Sequence, residues 1–181
     1  TSYFSKAAKW NPTLEGLDYN WGRAAFSGNL YALAIPPLSR YLTSHPQEAG
    51  ARRVLGISYF MQKEYGSVVE TLRPIEAQLA DTPQLDSMYA QSLALSGDYA
   101  NGVARLHRLS EANPSNAEMH RALGEVSATH GNYQQAADEL RTALRLNAGD
   151  EEARAQLATA LGHLEKKSAQ AGAFLLEMEP A

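Results

Sequence analysis

The chain has 181 residues, no cysteine and a formal net charge of −4, from 16 basic and 20 acidic residues. This excludes disulfides and thiolate metal sites, and the acidic balance argues against a general nucleic-acid role. The hydrophobic fraction of 44% is enough for a packed core, yet no run of about 18 apolar residues exists, so no segment is expected to span a membrane.

Residues 1–14 read as the closing half of a helix, Tyr3-Phe4-Ser5-Lys6-Ala7-Ala8-Lys9-Trp10, ended by Asn11-Pro12. Pro12 lies 34 residues before Pro46, which ends the next helical unit in the same way. With Thr1 rather than Met at the start, we expect a piece of a longer polypeptide that begins inside a repeat; a native helical cap is the alternative. Phe4, Ala7, Ala8 and Trp10 need cover. Leu14, Leu17 and Trp21 of the next unit are expected to supply it for Phe4 and Trp10, or a second chain through self-association.

Residues 15–48 form the first whole unit. Its first helix is expected from about Leu14 to Ser27, with Gly28-Asn29 as the turn. Pro36-Pro37 in the second helix is expected to delay or bend it, because proline fits best in a first turn, where amide donors lack partners anyway. Residues 49–82 follow, turning at Lys63-Glu64-Tyr65-Gly66, with Pro74 deep in the second helix and a kink expected there. Residues 83–116 start on Thr82-Pro83, read as a cap plus proline, and stop at Asn113-Pro114. Residues 117–150 give the clearest unit: an apolar face with Leu123, Gly124 and Ser127, a His130-Gly131-Asn132 breaker, then Ala136, Leu140, Ala143 and Leu144 on one face. Residues 151–181 start in register but drift. Glu165-Lys166-Lys167 replaces the turn, and a shift of one places Ala171, Leu175 and Met178 on the core face, sparing Gln170 from burial.

The units repeat every 34 residues without a gap. Tyr31, Tyr65, Tyr99 and Tyr133 are one position; Trp21-Gly22, Leu55-Gly56, Tyr89-Ala90, Leu123-Gly124 and Leu157-Ala158 are another. Small and large residues also pair four apart, as Ala34/Leu38, Val68/Leu72, Gly102/Leu106 and Ala136/Leu140. Period and positions resemble the tetratricopeptide repeat family over essentially the whole chain. The resemblance implies an all-α fold: a right-handed α-solenoid of stacked helix-turn-helix repeats, with the first helices lining a concave surface where partner segments bind. About eleven helices are expected, one N-terminal remnant and five antiparallel pairs. The glycines of the second position let helices approach closely, and the periodic tyrosines serve the helix-turn-helix corner rather than a ligand.

The residues that would face such a concave surface form one stripe opposite the core stripe. Its front part holds Tyr19, Arg23 and Phe26, then Arg53, Ile57, Phe60 and Met61, then Gln84, Ser87 and Gln91. Aromatics beside arginine are the composition of binding hot spots. Two readings stand: a groove for an apolar or amphipathic peptide with an acidic group, or a tightly curled array whose adjacent first helices bury these side chains. Arg23 and Arg53 likewise either meet a partner or bond the chain's own Asp18 or Glu64. The lysine–asparagine clamp with which some family members hold acidic chaperone termini is absent.

Catalytic chemistry finds no support. The five histidines lack metal-ligand spacing, and there is no phosphate loop or nucleophile elbow. Asp150-Glu151-Glu152 reads as helix-start chemistry. No catalytic, cofactor-binding or metal residue is expected. The leading expectation is therefore a non-catalytic protein–protein interaction scaffold; the alternatives are a regulatory or substrate-presenting arm of a larger enzyme and a self-associating spacer. Nothing in the sequence fixes a compartment.

Overall fold

A computed structural model describes residues 16–177, with side chains to Gln170. The expectations for Phe4, Trp10, Leu14, Ala171, Leu175 and Met178, and for self-association through the N-terminal segment, lie outside the residues so described. Among the described residues there is no strand. The helices are α1 (Leu17–Ser27), α2 (Tyr31–Ser44), α3 (Ala49–Met61), α4 (Tyr65–Leu72), α5 (Pro83–Leu95), α6 (Tyr99–Ala112), α7 (Ala117–Thr129), α8 (Tyr133–Leu146) and α9 (Glu151–Glu177), with a 3₁₀ segment at Arg73–Asp81. This is an all-α helical-repeat fold of the solenoid class. The chain divides into two compact units, residues 1–96 and 97–181.

In the first unit each helix packs on the next, α1 on α2, α2 on α3, α3 on α4 and α4 on α5, and the first helices α1, α3 and α5 also touch their neighbours. Two apolar clusters result, one of Ala25, Ala34, Leu38, Ala51 and Leu55, the other centred on Val68, Leu72, Leu79 and Tyr89. In the second unit α6 packs on α7, α7 on α8 and α8 on α9, around buried Leu123, Ala136, Leu140, Ala153 and Ala160.

The closeness of three antiparallel pairs, α1–α2, α3–α4 and α7–α8, comes from the glycine of the first helix. A Cβ built on Gly22, Gly56 or Gly124 would lie 2.4, 2.7 or 2.5 Å from the nearest atom of Leu38, Leu72 or Leu140. The turn between the pair also recurs. Asn29, Lys63, Gly97 and Gly131, each 34 residues from the next, all take positive φ, at 55°, 60°, 118° and 82°. Each is followed two residues later by the tyrosine that opens the second helix.

Several expectations need correction. Within the described residues helix α1 starts at Leu17, after Gly16 at φ 73°. Helix α2 starts on time at Tyr31 and runs unbroken through Pro36 and Pro37, so the prolines do not delay it. Thr82 makes no side-chain cap bond, unlike Glu48, which accepts from Gly50 N, and Asn116, which accepts from the amides of Glu118 and Met119. The last segment is not a helix pair: Glu151–Glu177 is one 27-residue helix. Glu165-Lys166-Lys167 continues the helix where the earlier repeats turn, and Ala158 is exposed. Pro74 does change the chain as expected. The α-helix ends at Leu72, and Ile75 leaves helical geometry at φ −116°, ψ 17°.

Candidate binding face

All ten stripe residues fall in the first unit. Helix α1 carries Tyr19, Arg23 and Phe26, α3 carries Arg53, Ile57, Phe60 and Met61, and α5 carries Gln84, Ser87 and Gln91. Because α3 touches both α1 and α5, the helices that carry the three rows are neighbours. Their exposure differs. Arg23 and Gln84 are exposed, Met61 is 47% exposed, and Tyr19, Phe26, Arg53, Ile57 and Phe60 are half-buried. Ser87 and Gln91 are buried, at 7% and 6%, on a helix closed over most of its surface.

The apolar members divide their surface between packing and solvent. Phe26 leans on the Ala25–Leu55 cluster and meets Tyr31 edge-on at 5.7 Å. Ile57 and Phe60 lean on the Val68–Leu93 cluster, and Phe60 meets Tyr65 edge-on at 6.0 Å. Such pairs add about 0.5–1.5 kcal/mol beyond the area they bury. The periodic tyrosines thus anchor the corners, as the repeat pattern implies.

A column of stacked groups that spacing alone did not show crosses this face. The Arg23 guanidinium lies 5.4 Å from the Tyr19 ring centroid, Tyr19 stacks on Tyr41 at 4.9 Å, and Tyr41 stacks on His45 at 4.2 Å. Tyr41 and His45 lie one turn apart on α2 and at its end, and no stripe count on the first helices could include them. A Cβ on Gly50 would sit in ordinary contact with the Tyr19 hydroxyl, at 3.5 Å.

The fourth residue of a repeat recurrently reaches the second helix of the same repeat. Arg40 donates two bonds to Asp18, at 2.6 and 3.1 Å. Arg52 donates to the carbonyls of Thr71 and Pro46. His120 Nδ1 lies 2.8 Å from Glu139. Asp18 is therefore committed to Arg40. Among the described residues, no carboxylate pairs with Arg23 or Arg53, which removes the expectation that Asp18 or Glu64 neutralises them. Arg53 Nε is moreover buried without a hydrogen-bond partner, which costs about 1–3 kcal/mol or more when the group is charged.

In the second unit two open depressions of about 620 and 590 Å³ lie between α8 and α9, sharing Asp138; Tyr133 and Leu164 line the first, Leu144 and Leu157 the second. Among the described residues no group of His, Asp and Glu could hold a metal ion, and no helix is long and apolar enough to cross a membrane.

Helix pairs in a strict 34-residue register, with glycine–leucine contacts in three of them, define a helical-repeat protein of the kind that generally serves as a protein-interaction scaffold. The tetratricopeptide repeat profile matches residues 19–67 and 89–151, and the chain belongs to that family. No curated protein matches it by sequence. Among solved structures, YrrB, described as a tetratricopeptide repeat protein with an unusual peptide-binding site, superposes with a TM-score of 0.68 at 15% identity, over 84% of this chain and 78% of that one. The thermophilic repeat protein TTC0263 of Thermus thermophilus gives 0.60 at 21% identity, over 88% of each chain. MamA of AMB-1 gives 0.59 at 20% identity, over 91% of this chain and 92% of that one. At these identities the likeness is one of fold.

Proposed function

We propose that the protein is a non-catalytic scaffold whose first unit binds a protein segment along the face of α1, α3 and α5. The carrying observation is the pair Arg23 and Arg53, neither neutralised within the described residues, set among half-exposed Tyr19, Phe26, Ile57, Phe60 and the exposed Met61. The apolar members offer anchor area, and the arginines favour a segment that carries acidic groups. Gln84 supplies a polar rim; buried Ser87 and Gln91 support α5 from within rather than touch the ligand. The peptide-binding site of the structurally similar YrrB supports this reading.

The test is selection of peptides from a random display library against the chain, followed by affinity measurements on variants. Selected peptides should combine Leu, Ile or Phe anchors with Asp or Glu. Arg23→Glu with Arg53→Glu should weaken them by about ten-fold or more, since attraction is lost and repulsion gained, while Arg108→Glu, an exposed site in the second unit, should not. Equal losses in both variants would remove this face as the binding surface.

A further inference from the structure

Arg53 and Arg121 hold the same place in their repeats, the fifth residue of the first helix, 68 residues apart. Their surroundings differ. Arg121 Nε lies 3.4 Å from Asp150, and its Nη1 lies 3.2 Å from Glu152, so that two carboxylates from the start of the following repeat cover one guanidinium. The residues in register with Asp150 and Glu152 after Arg53 are Thr82 and Gln84. Both acids are replaced by neutral groups of similar reach. The atom that Asp150 faces on Arg121, Nε, is the atom left buried and unpartnered on Arg53.

We infer that Arg53 is a carboxylate-binding position whose acceptor comes from the ligand: an acidic side chain of the bound segment takes the place that Glu152 fills at Nη1 of Arg121, since Arg53 Nε is itself closed to solvent. This rests on the reading of the first unit as the binding face and names the chemical group recognised there. The chain itself supplies the template, an arginine on the same helix position satisfied by acidic side chains, two residues apart in sequence. Arg23, on the neighbouring helix with only the Tyr19 ring beneath it, adds a second positive charge to the same face. A segment with acidic groups on either side of an apolar anchor fits this pair. The uncompensated guanidinium also selects against basic segments, which the apolar part of the stripe alone would not reject.

The experiment uses the whole chain and an acetylated, amidated hexaglutamate peptide, observed through the arginine Nε–Hε resonances. The Arg53 resonance should move on titration at low salt, and that of Arg121, already ion-paired with Asp150 and Glu152, should stay. Thr82→Asp with Gln84→Glu rebuilds the second arrangement around Arg53 and should lower the affinity by about ten-fold or more, by internal neutralisation and repulsion. Asp150→Asn with Glu152→Gln should make Arg121 respond as Arg53 does. An unmoved Arg53, or equal movement of Arg53 and Arg121 in the unaltered chain, would overturn the inference, and neither reading depends on a variant that must fold. An uncharged capped peptide of alternating Leu and Ser separates this from the function proposed above. If it shifts the Ile57 and Met61 methyl resonances while hexaglutamate leaves Arg53 unmoved, the binding face stands and its carboxylate specificity falls. A peptide with uncharged side chains, an acetylated N-terminus and a free C-terminal carboxylate that moves Arg53 more than capped hexaglutamate does would assign the site to chain termini and overturn the side-chain reading.

Discussion

Gly124 on α7 and Leu140 on α8 occupy one close crossing: a Cβ on the glycine would meet Leu140 Cγ at 2.5 Å and the Ala136 carbonyl at 3.3 Å. Real Cβ atoms do not approach so near, and Leu140 is fully buried, so it has nowhere to retreat. The same contact links Gly22 to Leu38 and Gly56 to Leu72. Three repeats therefore share one packing rule, in which the absent side chain of one helix is the socket for a leucine of the next.

Gly124→Leu should accordingly destabilise the second unit by about 1–3 kcal/mol through overpacking. Gly124→Ala should cost less, though still measurably. Combining it with Leu140→Ala opens the crossing, so the double variant should lose less than the sum of the two single losses. Urea unfolding of the three variants checks this, and strict additivity would show that the two residues do not share the crossing.

Lys63 stands where two other repeats carry glycine and one carries asparagine, all with positive φ. A lysine at φ 60° brings its Cβ against the following carbonyl, which costs roughly 1–2 kcal/mol. Lys63→Gly should remove most of that strain while losing some unfolded-state restriction, for a net gain of up to about 1 kcal/mol. For a chain of this size that gain raises the melting temperature by about 2–4 °C. Gly131→Ala at the equivalent turn, where φ is 82°, should shift it in the opposite direction. A thermal scan that finds Lys63→Gly neutral or destabilising would mean the lysine side chain contributes more than its backbone costs.

The period was legible because each of its parts recurs at a fixed offset: tyrosine to open the second helix, glycine or alanine at the crossing, a turn residue two positions before the tyrosine. What was not legible depended on partners rather than on periods. Lys63 adopts the backbone of its glycine counterparts because the helices on either side are already packed, and no local propensity announces that. Thr82 has the composition of a cap without making the bond. Arg53 and Arg121 look identical on a stripe count; only the residues 29 and 31 positions further on distinguish a neutralised arginine from an open one. Ser87 and Gln91 count as groove residues by spacing but sit on a helix whose opposite sides are both covered. Glu165 stands in register with Asn29, Lys63, Gly97 and Gly131, yet Glu151–Glu177 runs on as one helix; since Lys63 makes the turn, residue type at that position alone does not announce the difference.

The tyrosine position changes partner along the chain, and that difference is testable. Tyr31 and Tyr65 meet Phe26 and Phe60 edge-on within their own repeats. Tyr99 and Tyr133 instead lie parallel to histidines of the following first-helix region, Tyr99 on His130 at 3.7 Å and Tyr133 on His163 at 4.2 Å. Tyr99 Oη also accepts a 3.0 Å hydrogen bond from Asn132 Nδ2. The ring thus ties its own repeat to the next turn within the second unit, and the hydroxyl adds a solvent-exposed bond that water can replace. Tyr99→Phe keeps the stack and should cost about 0.5 kcal/mol or less, as an exposed neutral hydrogen bond is worth little net. Tyr99→Ser removes the ring and should cost about 0.5–1.5 kcal/mol for the stack plus the apolar area lost. Urea unfolding of the two variants, with His130→Ala and the Tyr99→Ser/His130→Ala double variant, gives the coupling directly. A coupling indistinguishable from zero would show that the parallel rings are neighbours without mutual stabilisation, and the tyrosine's recurrence would then have to be explained by its packing against its own helix pair.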